Sequence, residues 1–213
     1  MREPTRILNT ETSRIDKVLL WRDFVEFVVH PEFHCPNKPT NFSEISLEYS
    51  KRVREVALEL LEGISESLGL EGKCIFKALN LESCLQHVIV NLYPPCPQPE
   101  LAMGLPPNSD HSLLTILTQN GIGGLQLHHN GKSVSNGKFK SVVHRAVVNN
   151  KETRISVTSQ IGPSLDTIVN PAPKLVDNEI NPPAYGRIKY KDYLELQQSS
   201  NLYGKSCLDG VRI

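Results

Sequence analysis

Neither sign of charge is in excess in this chain: 23 Lys plus Arg balance 23 Asp plus Glu over 213 residues. Nucleic-acid binding needs clustered cationic surface, so that balance argues against it. No basic run marks a membrane-facing segment, and no apolar stretch approaches the ~20 residues that cross a bilayer. Cysteine is sparse. The five present (Cys35, Cys74, Cys84, Cys96 and Cys207) are odd in number and contain no C-x-x-C pair, which disfavours a disulfide framework or a zinc site and favours a reducing compartment. Met1 to Arg6 lead into no apolar segment of the secretory kind. The expectation is a cytoplasmic monomer with no nucleic-acid or membrane partner. A hydrophobic content of 39% with 22% charged residues is ordinary for a globular chain with a real core, not for disorder.

What is present changes period part-way along. Residues before about 42 suggest only short irregular elements. A helix is expected from Asn41, with Glu44 three residues on in capping-box fashion. Tyr49, Val53, Val56, Leu60 and Ile64 would form its apolar stripe, and Gly69 its stop. A short helix near Ile75 to Leu79 follows. From Leu85 to Tyr93 the period becomes two: Val88, Val90 and Leu92 share one face, and His87, Ile89, Asn91 and Tyr93 the other. Further strands are expected at Ser112 to Thr118 and Leu125 to His128, with an Asn130-Gly131 hairpin turn. Ser141 to Val148 and Thr153 to Gln160 read as a hairpin around Asn149-Asn150-Lys151. The tail from Lys189 to Ser199 looks helical. Short strands after a helical front part suggest an α+β, mainly β protein: a double-sheet barrel with helices outside.

Three clusters stand out: Asn91-Leu92-Tyr93-Pro94, Leu105-Pro106-Pro107-Asn108-Ser109-Asp110, and Val143-His144-Arg145-Ala146 followed by Arg154-Ile155-Ser156. An arginine and a hydroxyl two apart share a strand face and can reach one carboxylate. In order and spacing these clusters, with Gly123-Gly124-Leu125-Gln126 and Gly162-Pro163-Ser164, resemble the iron(II)/2-oxoglutarate-dependent dioxygenases. The likeness is to the large plant branch that includes flavanone and hyoscyamine hydroxylases.

That resemblance implies a double-stranded β-helix, or jelly-roll, core at 81–188, after a remnant of a helical N-terminal region at 1–80 and before a C-terminal helix and tail at 189–213. It implies Fe(II), 2-oxoglutarate as co-substrate and ascorbate as reductant. The reaction would hydroxylate or desaturate a small organic plant metabolite with O2. Asp110 and His144 would be metal ligands. Asn108 falls where the family carries its first histidine, and a neutral amide is a poor substitute for imidazole at Fe(II). Arg154 and Ser156 would bind the co-substrate carboxylate, helped by Tyr93 and Asn91. His111, His128 and His129 read as ordinary surface or core histidines.

Two further departures concern length. Members usually carry a longer N-terminal region, and between Val134 and Ser135 they normally insert two more strands and a turn. Asp110 and His144 are only 34 positions apart (144 − 110). A splice form, a decayed copy or a gene-model error would each give such a junction. The alternative reading is therefore a catalytically impaired or inactive relative without metal-dependent turnover.

Overall fold

The computed structural model describes residues 5–8, 14–15, 18–128, 141–176, 179–180 and 182–199. The front half contains β1 (Thr5–Leu8), β2 (Arg14–Ile15), β3 (Val18–Leu19), β4 (Asp23–His30), α1 (Phe42–Ser67), α2 (Cys74–Ala78) and β5 (Leu85–Tyr93). Then come β6 (Leu105–Asn108), β7 (Leu114–Gln119), β8 (Leu125–His128), β9 (Val143–Ala146), β10 (Arg154–Gly162), β11 (Ile168–Val169), β12 (Ile188–Lys189) and α3 (Tyr190–Ser199). A five-stranded sheet in the order β1-β4-β5-β10-β7 and a three-stranded sheet in the order β6-β9-β8 form the body. All their pairings are antiparallel. Tyr93 and Cys96 pack with Ala146 and Val148 where the two sheets approach one another. The mainly β architecture with helices outside is as expected.

Strand β5 has the bounds read from its alternation, and β8 those read from its turn signals. Asp23–His30, expected to be irregular, is instead an eight-residue strand. Its apolar residues fall on both faces (Phe24 and Val28 on one, Val25, Phe27 and Val29 on the other), so no two-residue alternation marks it. It hydrogen-bonds along β5, so the main sheet draws on residues from both sides of position 80.

The expected hairpin between β9 and β10 does not form. Strand β9 pairs with β6 and β8, whereas β10 pairs with β5 and β7. The linking segment passes between sheets, turned by Asn149, whose Oδ1 accepts from the backbone N–H of Lys151 and Glu152 at 2.8 Å each. Alternation identifies a strand but not its partner. The Asn130-Gly131 turn and the Val134–Ser135 junction lie outside the described residues.

Helix α1 also differs from its expected form. Asn41 is left-handed (φ 66) and makes no side-chain cap, since capping needs an extended residue whose oxygen points back at the first turn. Gly69 does follow the helix with φ 73. The buried stripe is Ser46, Ser50, Ala57, Leu61 and Ser65, while Val56 and Leu60 are half exposed (50% and 49%). Small residues let the helix lie close on the sheet. There Gln86, fully buried, donates through Nε2 to the Ser50 carbonyl at 3.1 Å and to Ser159 Oγ at 3.0 Å. Among the described residues no helix is long and apolar enough to cross a membrane.

Gln86→Leu roughly keeps the volume but removes the side-chain bonds that join the Ser50 carbonyl of α1 to Ser159 of β10, leaving the buried Ser159 hydroxyl without its donor. The expected cost is about 1–3 kcal/mol of unfolding free energy, read from the urea midpoint.

Candidate functional site

Registry along β10 builds one wall of the site. Arg154 lies opposite Tyr93, and Ser156 opposite Asn91 on one side and Gln119 on the other. With a two-residue period, Arg154, Ser156, Thr158 and Gln160 share the face away from α1, joined by Tyr93, Asn91, Ile89 and His87 of β5. Arg154 and Ser156 are each 2% exposed. The guanidinium lies over the Tyr93 ring, 4.9 Å from its centroid, and donates from Nε and Nη2 to Gln119 Oε1 at 3.2 and 2.9 Å. No carboxylate among the described residues pairs with it. Asn91 Oδ1 accepts from Arg22 Nη1 at 3.0 Å. The four residues expected at a co-substrate pocket are thus contiguous.

The expected metal residues converge from the other sheet. Asn108 stands opposite His144 in the β6–β9 pairing. Asn108 and Asp110, although two residues apart, do not share a strand face, because β6 ends at Asn108 and Asp110 lies beyond it. Asp110 is held instead by Gln160 Nε2, which donates to its Oδ1 at 3.1 Å. His144 Nδ1 is 3.1 Å from the Val142 carbonyl. A carbonyl only accepts, so Nδ1 is the donor here, and in the neutral ring Nε2 is the nitrogen with a free lone pair. That Nε2 faces Asp110 Oδ1 at 3.8 Å. Two lone-pair donors so arranged suit a cation between them, and the carbonyl behind the ring is the usual orienting partner of a metal-bound histidine.

Asn108 does not complete the set. Its Nδ2 donates to the Pro106 carbonyl at 2.8 Å and the His144 carbonyl at 3.4 Å. Two carbonyl partners require the nitrogen on that side, leaving only a neutral oxygen to offer. Among the described residues no group of three or more His, Cys, Asp and Glu could hold a metal ion. His111 contacts Gln197 of α3, and His128 is exposed at the end of β8. His129 lies outside the described residues. Two of the three positions therefore fit iron and the third does not.

A sequence model of the 2OG-Fe(II) oxygenase superfamily matches residues 84–163. The rice (Oryza sativa subsp. japonica) 2-oxoglutarate-dependent dioxygenase 19 is 44% identical over 99% of this chain and 68% of its own length. The chain belongs to the 2OG-Fe(II) oxygenase superfamily. Flavanone 3-dioxygenase 2, also from rice, is 36% identical over 99% of this chain and 69% of its own length. Among solved structures, JOX2 in complex with 2OG, Fe and JA superposes with a TM-score of 0.84 at 27% identity, covering 92% of this chain and 65% of JOX2. The core is the double-stranded β-helix of this superfamily. The chain spans about two thirds of these relatives. The first alignment runs over 232 positions, at least 19 more (232 − 213) than this oxygenase-family chain has residues. The relative thus carries internal sequence with no counterpart in this chain.

Gln119 and Gln160 were not legible as site residues, since glutamine carries no motif and each acts only through registry. Gly124 had a signal, lying in Gly121-Ile122-Gly123-Gly124. Its φ is +157, and a Cβ there would stand 2.9 Å from Arg154 Cδ and from the Val147 carbonyl oxygen. Gly124→Ala is expected to cost about 1–3 kcal/mol of stability by overpacking and to shift Arg154. A melt and a 2-oxoglutarate titration would show the two losses together.

Proposed function

We propose that this chain binds 2-oxoglutarate through Arg154 and Ser156 and belongs to an oxygenase acting on a small organic metabolite. The observation that carries this is Arg154, a cation 2% exposed with only a neutral amide and a ring around it. Burying a guanidinium without a counter-ion is costly, so its natural partner is an anionic ligand. A carboxylate can take two parallel N–H donors from it and a third hydrogen bond from Ser156. Tyr93 and Asn91 line the same wall, the ring excluding water and the amide keeping Arg22 alongside. Relatives named for flavanone and a structure holding JA support a small organic substrate of plant specialised metabolism.

Asp110 and His144 would hold iron(II), Gln160 fixing the carboxylate and the Val142 carbonyl fixing the ring. Bound iron would supply the O2 activation that couples loss of CO2 from 2-oxoglutarate to hydroxylation or desaturation of the substrate, with ascorbate as reductant. One observation favours the second reading, a catalytically impaired relative: Asn108 spends its nitrogen on backbone carbonyls where the family has imidazole.

Removing one partner of a buried charge pair costs about 2–5 kcal/mol, so Arg154→Ala should weaken N-oxalylglycine binding by roughly thirty-fold or more in anaerobic calorimetry with Fe(II). Arg154→Lys should recover only part, lacking the two-pronged geometry, and Ser156→Ala should cost about 1 kcal/mol. Equal affinity in wild type and Arg154→Ala would sink this assignment.

Asn108→His should raise Fe(II) affinity by about ten-fold or more, in line with the effect of altering groups around a metal. Iron titration monitored by calorimetry checks it. Wild type binding as tightly as the histidine variant would show that position 108 is not a ligand site.

A further inference from the structure

A guanidinium offers two paired-donor edges: a side edge of Nε and Nη2, and an end edge of Nη1 and Nη2. Gln119 Oε1 accepts from Nε at 3.2 Å and Nη2 at 2.9 Å, so it occupies the side edge. The Tyr93 ring holds the flat face of the cation, and Gly124 crowds its stem. Face, side edge and stem are all engaged, which leaves the end edge of Nη1 and Nη2 as the donor pair free to meet a ligand. Gln119 also stands opposite Ser156 in the β7–β10 registry, so it borders the same two-residue receptor.

The charge of this neighbour matters as much as its position. Strand β7 is the outer strand of the five-stranded sheet, and Gln119 is exposed. Folding would accept a glutamate of the same length there, and a carboxylate would bond Arg154 more strongly than an amide does. It would also satisfy the guanidinium permanently and repel an incoming anion. We infer that Gln119 is a positioning and selectivity residue of the anion site: it orients Arg154 from the side while leaving its whole charge to a carboxylate-bearing 2-oxo acid. This rests on the reading of Arg154 as the co-substrate receptor.

The test compares the full chain with Gln119→Glu and Gln119→Met, the latter similar in length but without the amide acceptor. N-oxalylglycine affinity is measured by anaerobic calorimetry with Fe(II), and thermal melts are recorded without ligand. Gln119→Glu is expected to weaken binding by about ten-fold or more, through competition and repulsion at a charge pair, with a melt equal to or above that of wild type. Gln119→Met should weaken binding roughly three-fold, the scale of an ordinary hydrogen bond, with a slightly lower melt. A merely structural role would make affinity follow stability, whereas the glutamate variant should separate them. Wild-type affinity in Gln119→Glu would overturn the inference and leave the Arg154 reading standing. Failure of the wild type itself to bind would overturn that reading and the inference together.

Discussion

Strand β10 is hydrogen-bonded along both edges, to β5 and to β7, and its two-residue period divides the molecule into a structural side and a chemical side. Ser159 and Ile161 face the helices, where Ile161 packs with Ala57, Leu61, Leu81 and Cys84. Arg154, Ser156 and Gln160 lie on the face away from the helices, with the proposed anion receptor at one end and the support for Asp110 at the other. A slip of one residue would bury Ile155 in the polar site and turn the arginine into an apolar core. Pairing on both edges forbids that slip, so site and core are fixed by the same hydrogen bonds.

Legibility in the sequence followed how local each cause was. The alternation of β5 comes from one burial contrast repeated along nine residues, and it gave both faces, including Asn91 and Tyr93. Strand β4 hid because its residues are apolar on both faces. The false hairpin between β9 and β10 had a local cause for its turn, in Asn149, but its pairing is decided by distant strands. Arg154 and Ser156 could be singled out from their spacing and their likeness to a family. Gln119 and Gln160 could not, because their meaning exists only once β7 and the segment carrying Asp110 lie beside β10.

At Asn108, the position proposed for a ligand, the side chain is used in strand pairing instead. Its amide fastens β6 to β9 through the carbonyl of His144, the residue beside which imidazole would otherwise serve the metal. The amide thus adds a side-chain bond between strands at a place where the β6–β9 register is irregular. A histidine there would give up that fastening, so on the proposed reading metal affinity and local order oppose one another at a single side chain.

The contact between Gln86 and α1 has a consequence for why the helix sits as it does. Apolar burial alone would favour turning α1 by about 100°, one residue's worth, to bring Val56 and Leu60 inward in place of Ala57 and Leu61. Gln86 acts as an indexing pin against that rotation: its amide finds the Ser50 carbonyl at only one angular setting. A turned helix would leave that fully buried amide bonded to Ser159 alone and break its tie to α1, so a directional polar bond opposes the directionless pull of the exposed aliphatic stripe.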